Sequence, residues 1–159
     1  MIIPNMFQIT RSFKLWEFQD PTTKAVVLHP GLPAKLQSVR DLVDQPIIVT
    51  SSCRTWNHHK EIYKKLFPTT WQTEITIDSQ HLIEPPSCTE LSGEDHLNGR
   101  IIDYINNDKR RDLWICCAAD IGCPGVPIDH LLSVATEVGF HFIKRYPWGL
   151  HVDLRNDLK

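Results

Sequence analysis

The chain has 159 residues, with 17 basic and 19 acidic side chains and a net charge of -2. That length suits one domain, spanning residues 1–159, with one sizeable core, and the balanced charge gives no global reason to expect nucleic acid or an anionic membrane surface as a partner. No apolar run is long enough to insert in a membrane, and Pro4, Asn5, Gln8 and Arg11 break the N-terminal stretch before a signal peptide can develop. The five cysteines, Cys53, Cys88, Cys116, Cys117 and Cys123, are odd in number and form no CxxC pair. Adjacent Cys116 and Cys117 in an apolar run suit reduced core thiols, so the expected setting is cytoplasmic where the chain is made.

In chain order, residues 33–44 predict a helix, because Pro33 suits a first helical position and Leu36, Val39, Leu42 and Val43 recur at helical spacing. The β-branched run IIVT at 47–50 predicts a buried strand that delivers the chain into SSCRT, with Arg54 just past the strand end. HHKEIYKKLF at 58–67 predicts a short helix stopped by Pro68. TEITID at 73–78 suggests a strand, and 85–93 a loop. RIIDYI at 100–105 predicts a further strand, with Asp103 on the side of Ile101 and Ile105. A partly shielded carboxylate there needs a partner.

NNDKRRD at 106–112 reads as a polar turn, and LWICCAADIGCPG as a short buried element ended by glycine and proline. Residues 127–138 predict a second clear helix: Pro127 opens it, Ile128, Leu131, Leu132, Ala135 and Val138 face inward, and Gly139 ends it. Strands at 140–144 and 150–154 follow, joined across YPWG. In the last, alternation puts Leu150, Val152 and Leu154 on one face and His151 with Asp153 on the other. Two clear helices among several short strands, without regular alternation, predict an α+β fold: a mostly antiparallel sheet flanked by helices.

His96 and Asp103 stand seven positions apart in HLNGRIID, and His151 lies in WGLHVDLR at 148–155. Each alone has an ordinary structural reading. Brought together in a cleft on the sheet, two imidazoles and a carboxylate would hold zinc with one position left for water, which is the arrangement of a catalytic site. Gly99 serves equally as a bend or as a plain turn glycine, and Asp153 equally as a support for the site or as a strand-end aspartate.

Three motifs in order, TSSCRT at 50–55, HLNGRIID at 96–103 and LHVDLR at 150–155, resemble those of the zinc D-Ala-D-Ala carboxypeptidase family and related phage and bacterial peptidoglycan peptidases. That family's pattern is a Ser-Gly-x-Arg-Ser turn, then His-x-x-Gly-x-x-x-Asp, then a closing His-Val-Asp. The resemblance implies that His96, Asp103 and His151 bind zinc and that Arg54 receives the substrate's carboxylate, a task suited to a planar fork of donors. It also implies hydrolysis of a peptide bond in peptidoglycan stem peptides or similar small peptides, by a carboxypeptidase or an endolysin-like endopeptidase. Such an enzyme is expected to be a monomer, and one without a signal peptide fits a phage-type lysis protein released to the cell wall by other means.

Two departures stand out. Trp148 occupies the position where many members of that family carry the acidic general base, and Glu94 replaces a common serine. Glu94 and His81 are the substitutes the sequence offers, although each also reads as a solvated loop residue. His81 lies in SQHL at 79–82, similar to the family's Ser-x-His, but no glycine or aspartate follows at the required offsets, and Pro85 and Pro86 interrupt. His58 and His59 read as exposed residues at a helix start. Besides a peptidase, the sequence admits a metal-binding structural or interaction module without the base, and a metal-free binding domain.

Overall fold

The computed structural model describes residues 5–158; Pro4, one of the residues that break the N-terminal stretch, lies outside them. Among the described residues the helices are α1 (Gly31–Val43), α2 (Trp56–Leu66), α3 (Trp71–Glu74), α4 (Asp95–Ile105) and α5 (Ile128–Val138). The strands are β1 (Ile48–Ser51), β2 (Ala118–Gly122), β3 (Phe142–Tyr146) and β4 (Gly149–Asp153). They form one antiparallel sheet in the order β1-β2-β4-β3, so the fold is α+β. None of the helices is long and apolar enough to cross a membrane.

Two apolar clusters hold these elements. The larger joins Leu32, Leu36 and Val39 of α1 and Leu131 and Ala135 of α5 to Ala119, Ile121, Leu150 and Val152 on one face of the sheet. The alternation expected for 150–154 therefore holds, since burying Leu150, Val152 and Leu154 turns His151 to the other face. The smaller cluster packs Trp56, Ile75, Ile77, Leu82, Leu97 and Ile101 together from α2, α4 and the segment between them. All five cysteines are free, and all but Cys88 are buried.

Residues 100–105 are not a strand but the second half of α4. Leu97 and Ile101, one helical turn apart, are buried against Trp56 and Ile75, whereas Ile102 and Ile105 are exposed. A short apolar run satisfies a period of 2 and a period of 3.6 almost equally, and here the tertiary partner decides. Arg100 reinforces the helical choice by donating to the carbonyl oxygens of Gln72 and, at 2.8 Å, Ile75. The strand expected at 73–78 is also absent: α3 takes Trp71–Glu74, and Ile75 and Ile77 enter the smaller cluster from irregular chain.

Candidate metal centre

A row of residues crosses the face of the sheet opposite α1 and α5. Ser51 on β1 pairs with Asp120 on β2, Asp120 with His151 on β4, and His151 with Lys144 on β3. Residues paired directly across antiparallel strands share a face, so the ladder register alone brings Asp120 and His151 together. An irregularity between Val49 and Ser51 sets Ser51 opposite Asp120, a placement that bulges commonly serve beside functional sites.

His81 comes from the chain beyond α3 and is clamped beside the elbow after β1. Arg54 N–H donates to the His81 carbonyl at 2.9 Å, Ile83 N–H to the Arg54 carbonyl at 3.1 Å, and Cys117 N–H to the Gln80 carbonyl at 3.1 Å. The His81 ring is buried, and its Nδ1 lies 2.7 Å from the Ser52 carbonyl oxygen. A carbonyl only accepts, so Nδ1 carries the hydrogen and Nε2 presents a lone pair. Burial, followed by the charge of Arg54, lowers the His81 pKa to about 4, which keeps the ring neutral at neutral pH.

His151 is fixed by the same logic. Its Nε2 lies 2.9 Å from Asp153 Oδ2, which can only accept, so Nδ1 of the neutral ring faces Asp120 Oδ1 at 3.0 Å and His81 Nε2 at 3.2 Å. The third side of the triangle, His81 Nε2 to Asp120 Oδ1, is 3.3 Å. Three electron-pair donors at these distances repel one another unless positive charge sits among them. The two candidates are a proton on His151, whose pKa the Asp120 and Asp153 carboxylates raise against the effect of burial, and a metal ion.

The triangle fits a metal. Donors 2.0–2.1 Å from a tetrahedral zinc ion lie about 3.3 Å from one another, close to the separations found, and two imidazoles with one carboxylate are a ligand set zinc accepts. Among the described residues, His81, Asp120 and His151 are the group of side chains able to hold a metal ion.

Two arginines flank this group, one through Asp120 and the other through Asp153 beside His151. Arg54 donates from Nη2 to Asp120 Oδ2 at 2.8 Å and from Nε to Ser51 Oγ at 2.9 Å. Arg155 donates to both oxygens of Asp153, the shortest contact being 2.7 Å. Burial pushes both carboxyls up, but the histidines and arginines prevail, holding Asp120 well below the usual carboxylate range and Asp153 at about 2. The result is a continuous chain, Arg54–Asp120–His151–Asp153–Arg155. It borders a cavity of about 330 Å³ that Tyr63, Asp78, Lys144 and Tyr146 also line.

Of the residues singled out from sequence, His151, Arg54 and Asp153 meet here. His96 and Asp103 do not: both lie on α4 and both are exposed, with His96 Nε2 3.4 Å from Thr73 Oγ1. A strand over 100–105 would set Asp103 partly shielded beside Ile101 and Ile105, whereas the helix turns it to solvent. His81, which the sequence offers as a general base, is instead one of the three residues able to hold a metal ion. Glu94 is buried at the start of α4 against Lys60 at 3.5 Å and Lys64 at 4.0 Å, and does not line the cavity. Trp148 is exposed on the β3–β4 turn and stacks on Tyr146, with ring centroids 5.1 Å apart.

No sequence motif marks Asp120. Its signal is a lone carboxylate within the apolar run LWICCAADIG, which must find a partner once that run is buried. The pair is also hidden by spacing, because His81 and Asp120 are 39 positions apart. Comparison of the chain with family models, curated proteins and solved structures finds no match in any of the three.

Proposed function

We propose that this chain is a zinc-dependent peptidase in which His81, Asp120 and His151 hold the metal and a peptide bond of a peptidoglycan stem peptide, or of a similar small peptide, is hydrolysed in the adjoining cavity. The observation that carries the reading is the triangle of lone pairs at 3.0, 3.2 and 3.3 Å on an open cavity. When bound there, zinc would supply Lewis-acid polarisation of the scissile carbonyl and acidify water.

The protein's own groups divide the remaining work. Asp153 holds His151 in the tautomer that leaves Nδ1 free, and Ser52 does the same for Nε2 of His81. Arg54 orients Asp120 and, from the cavity wall, offers the substrate's carboxylate the N–H groups not spent on Asp120, Ser51 and His59. The carboxylates lining the cavity are Asp120 and Asp78. With Asp120 committed to the metal, Asp78 accepts the proton of the attacking water as its oxygen joins the carbonyl carbon. It returns that proton to the amine as the C–N bond breaks.

A second reading, a metal-binding module without turnover, is favoured by one observation: Trp148 cannot take a proton and points no carboxylate at the site. One experiment separates the two. Metal content and hydrolysis of peptidoglycan and stem peptides are measured for wild type, His81→Ala, His96→Ala and Asp78→Asn. The peptidase reading expects zinc and turnover in wild type and His96→Ala, loss of both in His81→Ala, and about a hundredfold lower turnover with zinc retained in Asp78→Asn. Zinc without turnover in any form leaves the module, and a wild type that takes up no zinc sinks both.

A further inference from the structure

A second cavity, of about 430 Å³, adjoins the first, since Asp78, Gln80 and Arg155 line both. The chain as a whole is slightly acidic, yet this cavity gathers Lys109, Arg110, Arg111 and Arg155 against only Asp78 and Asp112. Among the described residues, neither aspartate is ion-paired to any of the four cations. Arg111 is committed to structure: it donates to the carbonyl oxygens of Ser79, Leu82, Leu113 and Ile115, and its guanidinium lies 4.8 Å from the Trp114 ring centroid. Those bonds hold the 106–112 turn beside the segment that carries His81, and so fix where Lys109 and Arg110 stand.

Lys109 and Arg110 are exposed, and Arg110 uses only Nη1, on the Ile105 carbonyl. Arg155 spends Nε and Nη2 on Asp153 while its guanidinium lies 3.9 Å from the Phe142 ring centroid. Its position in both cavities makes it the hinge between the metal group and the basic turn.

We propose that the two cavities form one cleft for an acidic peptide that carries two carboxylates, one received by Arg54 and the second by Lys109, Arg110 and Arg155. Arg54 is paired with Asp120 and Arg155 with Asp153, so the uncompensated charge of the second receptor is carried by Lys109 and Arg110, and a ligand with a second carboxylate placed to reach them gains an attraction that a ligand with a single anion at Arg54 lacks. The peptidase reading decides what becomes of this ligand, but its binding does not depend on that reading.

The test uses zinc-loaded full-length protein and a pair of fluorescent stem-type peptides that differ at one acidic residue, carboxylate in one and carboxamide in the other. Binding is followed by anisotropy and cleavage by KM and kcat. Wild type is expected to bind the carboxylate form about tenfold more tightly, with the preference shrinking as salt is raised, since exposed ion pairs each contribute up to about fivefold. Lys109→Glu/Arg110→Glu should abolish the preference, Lys109→Gln/Arg110→Gln should reduce it, and Lys109→Arg/Arg110→Lys should keep it. Equal affinity for the two peptides, or a preference that survives charge reversal in a folded variant, overturns the proposal. Preferential binding without cleavage overturns the peptidase reading and leaves the cleft standing, and cleavage without preference does the reverse.

Discussion

His151 shows how much of this site rests on single hydrogen atoms. Its Nε2–H points at Asp153 because that carboxylate is fully buried and already pinned by Arg155, which leaves the aspartate nothing to do but accept. Replacing Asp153 with asparagine keeps the shape but lets the amide turn its NH2 toward the ring, which frees the other tautomer. Lost outer support of this kind typically weakens metal binding about 10–100-fold. Asp153→Asn is therefore expected to lower zinc affinity by that factor in a chelator competition, and an unchanged affinity would remove Asp153 from the centre. The sequence showed Asp153 beside its histidine and left its role open. What it could not show was Arg155, two residues on, holding the carboxylate in place from the same strand end.

At the scale of elements, the sequence was readable wherever a segment carried its own period. α1, β1, α5 and β4 each lie within a few residues of where the spacing puts them, and Gly139 ends α5 with a φ of 90°, as a helix-stopping glycine should. α4 was not readable, since its inward positions are fixed by Trp56 and Ile75 from other parts of the chain. Gly99 tests that reassignment. It lies inside α4, and a Cβ added there would meet nothing within 4 Å. Alanine at such a helical position is worth roughly 0.5–1 kcal/mol over glycine. Gly99→Ala is expected to raise the free energy of unfolding by that amount in a denaturant titration while leaving metal uptake as in wild type. A destabilised protein would return Gly99 to the role of a required bend.

For the molecule as a whole, one buried carboxylate ties the N-terminal segment to the site. Asp20 accepts from Thr22 and Thr23 through Oδ1, and from both the backbone N–H (2.8 Å) and the hydroxyl of Thr55 through Oδ2. Thr55 caps α2 and follows Arg54 directly, so the turn after Asp20 braces the elbow that carries that arginine. Burial raises the Asp20 pKa, but the hydrogen bonds from Thr55 and Thr23 outweigh it and the folded value is lowered. The sign follows from linkage: the unfolded chain binds this proton more readily. The contribution is thus present above the ordinary carboxylate range and lost as pH falls through the lower folded value. Asp20→Asn is expected to cost on the order of 2 kcal/mol at neutral pH, by way of the charged hydrogen bonds, and to flatten the acid limb of a stability-against-pH curve. An acid limb as steep as in wild type would assign that limb to other groups.

The 39 positions between His81 and Asp120 have a consequence for assembly. A donor pair seven residues apart can meet within one turn of chain, so even a short peptide can begin to grasp an ion. Closing a loop of 39 residues costs about 3 kcal/mol in chain entropy, against about 2 kcal/mol for seven, by (3/2)RT ln n. In this chain that loop contains α4 and part of the smaller apolar cluster, and its far end is fixed only when β2 enters the sheet. Ion capture by this group would therefore come only with finished tertiary structure, and no excised fragment bearing one histidine and its neighbours would inherit it.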